Sequence, residues 1–254
     1  MNLAQYLPTN IFAAMLVFAR IGSAMMLLPG FGEAYVPARF RLLLAVILSG
    51  LLLPILIPIL PRLPSSPAQL VLVLGGEIVV GLFIGTMARL FMSALQTAGQ
   101  IVSLQTGLSN AQLFNPAEGS QDAVPSAFYG ALGVLVIFLT NLHHMMLRGL
   151  VDSYTVFIPG RLPPIEDFTK AITQTVGYSF RLAMEMASPF IVLGTVFFIA
   201  LGLISRMVPQ LQILFVSQPL QILGGLLLMA ILVATGMGWF LDVFSQQFQA
   251  IFSG

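Results

Sequence analysis

Side chains capable of metal chemistry are scarce in this sequence, and its two histidines, His143 and His144, are adjacent. Neighbouring residues on a helix point about 100° apart, whereas two histidines that share a metal on one helix usually stand four residues apart. No cysteine or carboxylate lies one turn away from the pair. The pattern favours histidines at a membrane interface over a metal site, and the sequence predicts no cofactor.

Catalytic motifs are also absent. Lys170, the only lysine, does not stand in a phosphate-binding Walker A sequence, and neither an HExxH nor a G-x-S-x-G motif occurs. Carboxylates at positions 77, 118, 122 and 185 could form a proton relay, but nothing in the sequence brings any two of them together. We therefore expect a protein that is not an enzyme, and a membrane-embedded enzyme stays only as a third alternative.

One predicted helix carries a ridge of small and polar residues that recur every four positions. They are Glu77, Gly81, Gly85, Arg89, Ser93 and Thr97. Each step of four overshoots a helical turn by about 40°, so the ridge suits a partner that crosses at an angle. Gly81 and Gly85 let another backbone approach closely, although such pairs also arise in ordinary packing. Burying a charge costs about 2.5–3.5 kcal/mol, so Glu77 and Arg89 are expected to face protein or water.

Three further charged side chains lie within apolar segments. Arg20 stands in the second half of the first apolar run, and Arg181 and Glu185 stand near the start of a later one. Arg181 and Glu185 are one helical turn apart and could form an ion pair. These residues, like the ridge, indicate helices that contact protein as well as lipid.

A long polar stretch from Gln96 to Ser126 separates two apolar segments. It holds five glutamines, two asparagines, three glycines and two carboxylates, without lysine or arginine. Turn-forming residues from Gly107 onward indicate a loop, and Leu113 and Phe114 form an isolated apolar pair within it. Two interpretations stay open. The loop is either solvated outside the membrane or held in a protein-lined cavity, where irregular backbone is tolerated at membrane depth.

Composition indicates an integral membrane protein, with 58% hydrophobic residues, 7% charged residues and a mean hydropathy of +0.98. The formal net charge of +1 gives no electrostatic footprint for nucleic acid. The absence of cysteine excludes disulfides, thiolate metal sites and cysteine nucleophiles. The expected fold is an all-α membrane protein.

About six long, kinked hydrophobic helices arranged in hairpins are predicted. Their expected ranges are 11–28, 42–60, 68 or 69 to beyond 95, 128–147, 176–205 and 211–240. Prolines kink or end several of them, namely Pro54, Pro58, Pro189 and Pro219. Several exceed the roughly 20 residues that cross a bilayer, so they must tilt or protrude.

Five stretches, in the same order, resemble the FliR-type family of flagellar export-gate proteins and its virulence-secretion relatives. They are FARIGSAMMLLPGFGEAYVPARFRLLLA (18–45), GEIVVGLFIG (76–85), AGQIVSLQTGLSNAQLFNPAEGSQ (98–121), HHMMLRGLVDSY (143–154) and SRMVPQLQILFVSQPLQILGG (205–225). Each stretch is modest alone, but five in order are specific, and the resemblance extends over nearly the whole chain. One departure is Gln212, where an asparagine is more frequent, so the resemblance assigns that side chain no role.

The resemblance implies a noncatalytic subunit of the type III secretion export gate at the base of the bacterial flagellum, in the bacterial inner membrane. Its expected partners are FliP-like, FliQ-like and FlhB-like proteins, the basal body, and the unfolded proteins that pass through the pore. Residues 1–175 are then expected to be similar in fold to FliP, and residues 176–254 to form a FliQ-like helical hairpin.

The resemblance also implies that the loop after the third long helix plugs the closed pore, near residues 105–121. The expected plug residues are Gln105, Gly107, Asn110, Leu113, Phe114, Asn115, Pro116, Gly119 and Gln121. An uncharged, glutamine-rich surface can seal by packing and hydrogen bonds, yet release without breaking strong ion pairs. The competing interpretation is a small-solute transporter or channel, which interrupted helices and intramembrane charges would suit. The two halves show no convincing inverted repeat.

Overall fold

The computed structural model describes residues 3–109, 123–161, 163–207 and 213–252, and the regular secondary structure within these ranges is helical throughout. The α-helices are α1 (Leu3–Met25), α2 (Ala38–Leu56), α3 (Pro67–Thr106), α4 (Val124–Leu139), α5 (Leu142–Val156), α6 (Ile165–Met207) and α7 (Ile213–Ala250). A single 3-10 turn, Ile57–Ile59, follows α2. The predicted all-α class is confirmed.

Four helical segments in the described part of the chain are long and apolar enough to cross a membrane. They are Ala38–Ile59, Pro67–Thr106, Ile165–Met207 and Ser217–Ala250. The bent pair α4 and α5 makes a fifth if it forms one span, whereas the apolar part of α1, Thr9–Met25, is shorter. The chain is therefore a multi-pass helical membrane protein, with four or five candidate spans where about six helices were predicted.

Three helices are far longer than a bilayer requires. α3 has 40 residues, α6 has 43 and α7 has 38, whereas about 20 residues cross the hydrocarbon core. At about 1.5 Å per residue, each is roughly 60 Å long. Pro189 lies inside α6 and Pro219 inside α7, where each removes one backbone hydrogen bond. These helices must tilt or extend beyond the hydrocarbon.

The fourth predicted span, 128–147, is not one continuous helix, because α4 and α5 meet at an angle of 76°, although the bent pair can still form a single span. Asn141 stands between them with φ 59°, a left-handed conformation that asparagine adopts more readily than most residues. Its N–H donates to the Phe138 carbonyl oxygen at 3.3 Å, which closes the turn. The bend places His143 and His144 at the start of α5, with the His143 ring stacked on Phe138 at 4.8 Å.

The structure also corrects the predicted start of α6, which begins at Ile165 rather than at 176. Glu166 and Asp167 in its first turn complement the partial positive charge of a helix N-terminus. Lys170 Nζ lies 2.8 Å from Glu166 Oε1 one turn away. Other ends shift as well: α1 spans Leu3–Met25 rather than 11–28, α2 begins at Ala38 rather than 42, and α7 spans Ile213–Ala250 rather than 211–240.

The chain forms two compact units, each assembled from separate stretches. The first contains Met1–Leu90, Phe138–Thr175 and Phe244–Gly254, and the second contains Phe91–Ile137 and Val176–Val243. Within the first unit, α1 packs against α2. The division of the chain into a FliP-like part, 1–175, and a FliQ-like hairpin, 176–254, stays a prediction, and its boundary falls within α6.

Candidate functional site

A buried ion pair joins α1 to α3 in the first unit. Arg20 Nε donates to Glu77 Oε2 at 2.7 Å. Arg20 is 1% exposed and Glu77 is 2% exposed, so neither charge is solvated by bulk water. Each charge therefore depends on the other and on nearby polar groups for its stability.

The rest of the Arg20 guanidinium lies against the C-terminal end of α5. Its Nη1 donates to the carbonyl oxygen of Ser153 at 3.0 Å and to the Ser153 hydroxyl at 3.2 Å, and its Nη2 donates to the Phe157 carbonyl oxygen at 2.9 Å. Its Cζ lies 4.1 Å from the centre of the Tyr154 ring. Carbonyls at a helix C-terminus carry partial negative charge, which a cation stabilises, so Arg20 caps the end of α5.

The second oxygen of Glu77 holds the connection between α5 and α6. The Gly160 N–H donates to Glu77 Oε1 at 3.4 Å. Gly160 has φ +84°, and a Cβ there would lie 3.0 Å from Cγ of Pro61. The left-handed backbone strongly favours glycine, and a side chain there would also press against Pro61. The ion pair thus fixes α1, α3, the end of α5 and the following turn together.

Gly81 and Gly85 place α3 directly against α1. A Cβ on Gly81 would overlap the Ser23 hydroxyl oxygen and the Arg20 carbonyl oxygen. A Cβ on Gly85 would lie 2.9 Å from the Ala24 carbonyl oxygen. Because backbone atoms of α1 occupy this space, only glycine permits the approach.

The remaining predicted charges lie elsewhere. Arg89 is exposed on α3, about 120° around the helix from Glu77, because each four-residue step drifts around the axis. Arg181 Nε donates to Glu185 Oε1 at 2.7 Å on α6, in the second unit, and their side chains are partly exposed. Four of the predicted charges thus form two separate pairs, one buried and one accessible.

The end of α3, where the polar loop begins, is held by a glutamine in the second unit. Gln221 Nε2 donates to the Gln105 carbonyl oxygen at 2.8 Å. That carbonyl lies in the last helical turn, where carbonyls have no helical partner. Gly107 then ends the helix with φ +75°, its N–H donating to the Leu104 carbonyl oxygen at 3.4 Å.

Two glycines bring α6 and α7 against the same turn. A Cβ on Gly225 would overlap the Thr106 side chain, and a Cβ on Gly194 would overlap the Gln105 side-chain oxygen. Gln221 and Gly225 are one turn apart on α7. Gln221 and Gly225 of α7 therefore pack against residues 105–107, where α3 ends and the loop begins. We call residues 105–107 the root of the loop.

The chain that follows the loop is also packed against α3. A Cβ on Gly99 would overlap Ser126 Cα and would lie 2.7 Å from the Pro125 carbonyl oxygen. Ser126 Oγ donates to the Gln96 carbonyl oxygen at 3.0 Å. Both ends of the polar segment are thus attached within the second unit.

Most of the predicted plug lies outside the described residues, which include only Gln105 and Gly107 of that set. The others are Asn110, Leu113, Phe114, Asn115, Pro116, Gly119 and Gln121. The plug therefore stays a prediction, attached to a described root.

Sequence reasoning identified Arg20, Glu77 and the two glycines but did not identify the groups that complete the network. Ser153 and Phe157 contribute mainly backbone carbonyls, which any residue type provides. Gly160 gave a weak signal, because a proline-glycine pair marks a turn. In the ranges that the structure describes, no three histidine or carboxylate groups lie close enough to hold a metal ion.

Comparison with known proteins gives a consistent result. Residues 11–247 match the family model described as bacterial export proteins, family 1. The chain is 40% identical to the flagellar biosynthetic protein FliR of Caulobacter vibrioides over 244 residues, which cover 93% of this chain and 97% of that protein. It is 30% identical to FliR of Bacillus subtilis over 215 residues (83% and 82% covered) and 30% identical to FliR of Escherichia coli over 210 residues (81% and 78% covered).

Proposed function

This chain belongs to the bacterial export proteins, family 1, and from that membership we propose that it is a component of the flagellar export apparatus. The observation that carries the proposal is 40% identity across nearly the full length of a flagellar biosynthetic protein. The multi-pass helical structure is of the kind that a membrane subunit of this apparatus requires.

We propose a more specific role as well: a noncatalytic subunit of the export pore in the bacterial inner membrane. Its partners are FliP-like, FliQ-like and FlhB-like membrane proteins, and unfolded flagellar proteins pass through the assembled pore. Large apolar side chains exposed along α6 support helical partners, because a helix of 43 residues has more apolar surface than a bilayer covers. They include Val176, Phe180, Val192, Val196, Ile199 and Leu203.

The polar segment 105–121 is the pore plug in this proposal. Support comes from its described root, where Gln221 and Gly225 of α7 hold the last turn of α3. These contacts are neutral hydrogen bonds and close packing, which a chain entering the pore can displace more easily than buried ion pairs.

Deleting the gene tests the function directly. Motility and secretion of hook and filament subunits should be lost, because the gate lacks a subunit, while uptake of small solutes should be unchanged. Swimming in soft agar and immunoblots of culture supernatants measure the two losses, and both should return with the wild-type gene. A selective defect in uptake of one small solute, in cells with intact flagella, would instead support a transporter.

A second test concerns the plug. Changing Leu113 and Phe114 together to serine, or deleting 107–119, should raise leakage through assembled gates, since burying these side chains contributes about 1.5–3 kcal/mol each to closure. Sensitivity of cells to a normally excluded solute measures the leak, beside copurification of the partners as a check on assembly. The matched control changes Leu42 and Leu43 to serine, two exposed apolar residues on α2.

The described root offers a milder variant of the same test. Gln221→Leu keeps a similar side-chain size but removes the hydrogen bond to the Gln105 carbonyl oxygen, so leakage should rise less than with the double serine variant. Wild-type leakage in fully assembled complexes of both variants would mean that the segment is a plain connector.

A further inference from the structure

A cavity of about 390 Å³ in the first unit is lined by two arginines and, among the residues that the structure describes, by no carboxylate. Arg62 comes from the connection between α2 and α3, and Arg161 comes from the connection between α5 and α6. The first turns of α3 contribute Gln69, Leu72 and Val73 to the wall of the cavity. The cavity therefore combines two cations with an apolar surface.

The two arginines are brought together by their neighbours in the chain. A Cβ on Gly160 would lie 3.0 Å from Cγ of Pro61, so these two residues touch. Arg161 follows Gly160 and Arg62 follows Pro61, which places both arginines at one edge of this contact. The turn is fixed further because the Gly160 N–H donates to Glu77, the carboxylate of the buried ion pair.

Arg161 has a second backbone constraint. The Arg161 N–H donates to the Ile158 carbonyl oxygen at 3.3 Å. The Arg161 carbonyl oxygen would lie 3.7 Å from a Cβ on Gly76 of α3. The scaffold thus holds the Arg161 backbone against α3 while its side chain stays exposed. The backbone positions of Arg62 and Arg161 are therefore fixed beside the cavity before any ligand binds.

Two like charges at one cavity repel each other, and an anion between them removes that repulsion. In the described part of the chain, neither Arg62 nor Arg161 forms an ion pair with a carboxylate. Guanidinium groups bind phosphate through two parallel hydrogen bonds, more specifically than lysine does. The chemistry of the cavity is therefore that of a phosphate site.

The position of the cavity identifies the source of the phosphate. It lies where one candidate span, Ala38–Ile59, has ended and the next, Pro67–Thr106, begins. Leu72 on its wall is 61% exposed, and the adjacent Val71 is 67% exposed. Basic pockets at the ends of membrane helices suit anionic lipid headgroups. We propose that this cavity binds the phosphate of an anionic phospholipid, with its acyl chains along Leu72 and Val73.

The test measures bound lipid rather than export, so its failure would leave the proposed function untouched. The full-length protein is purified with its partners in mild detergent, and mass spectrometry gives the phosphatidylglycerol retained per complex. Arg62→Gln and Arg161→Gln should each lower retention about fivefold, and the double variant more, as expected for one surface cation each. Retention should also fall as salt rises.

Arg39→Gln is the matched control, because Arg39 is an exposed arginine in the first turn of α2 that does not line this cavity. Its retention should equal wild type. Adding phosphatidylglycerol to delipidated complex should raise the thermal unfolding midpoint of the wild type, but not that of the double variant, and phosphatidylcholine should raise neither.

Three results would overturn the proposal. The first is equal retention of phosphatidylglycerol by the double variant and by Arg39→Gln. The second is equal stabilisation by inorganic phosphate, which would make the cavity a free-anion site. The third concerns the charge-preserving pair Arg62→Lys and Arg161→Lys, which should retain more lipid than the glutamine pair; retention as low as that of the glutamine pair would contradict a role for charge.

Discussion

Changing Glu77 to alanine is expected to remove most of this protein from assembled membrane complexes. The substitution leaves the Arg20 guanidinium, 1% exposed, without the carboxylate 2.7 Å from its Nε. Breaking a buried pair from one side costs about 3–5 kcal/mol, a large share of the roughly 5–15 kcal/mol that stabilises a typical domain. Protein level in membranes and copurification with partner subunits measure the loss.

The chain supplies its own control in the second ion pair. Glu185→Ala breaks a partly exposed pair with Arg181 of the same 2.7 Å length, and exposed pairs contribute only about 0–1 kcal/mol. Near-wild-type levels are expected there. Equal levels of the Glu77 and Glu185 variants would contradict the argument from burial.

A double variant separates charge from shape. Arg20→Met with Glu77→Leu removes both charges and keeps apolar volume, and such replacements are often neutral. We expect the double variant to accumulate better than Glu77→Ala. Equally poor accumulation would assign the dominant role to the bonds between Arg20 and the end of α5, at Ser153 and Phe157.

Gly81→Ala is expected to produce the second large effect, from a single added methyl group. Its Cβ would overlap the Arg20 carbonyl oxygen and the Ser23 hydroxyl, so α1 and α3 must separate. Overpacking of this kind typically costs about 1–3 kcal/mol, and the separation would also stretch the Arg20–Glu77 pair. The midpoint of thermal unfolding of the purified complex measures the cost. Gly85→Leu should act in the same direction.

Gly75→Ala is the matched control on the same helix, because nothing lies within 4 Å of a Cβ at that position. In a helix, alanine is more favourable than glycine by about 0.8–1.0 kcal/mol. The unfolding midpoint should therefore rise or stay constant at Gly75 and fall at Gly81. A fall of the same size at both positions would show that close packing against α1 is not the reason.

The ridge on α3 could be predicted from sequence, because a four-residue period of Glu77, Gly81 and Gly85 is a local property of one helix. Its partner could not. Arg20 lies 57 residues away from Glu77, and no periodicity connects residues on different helices. The capping of α5 was still harder to predict from sequence, because it uses the backbone carbonyl oxygens of Ser153 and Phe157, which every residue type has.

Helix boundaries failed where one residue decides the geometry. The apolar run 128–147 predicted a continuous helix, because its average hydropathy conceals a single left-handed residue, Asn141. At α6 the start signal was present, since two prolines precede Ile165 and two acidic residues follow it. Because residues 158–170 are polar, their composition favoured a linker there in spite of this helix-start signal.

The Arg20 network also has a consequence for the order of events during synthesis. Arg20 leaves the ribosome 57 residues before Glu77 and 133 residues before Ser153. At about 5–20 residues per second, these intervals are roughly 3–11 s and 7–27 s. Throughout the first interval the nascent chain holds Arg20 without its partner Glu77, in an apolar helix shorter than the candidate spans. The helix that carries Arg20 can therefore complete its buried contacts only after α3 and the end of α5 have been synthesised.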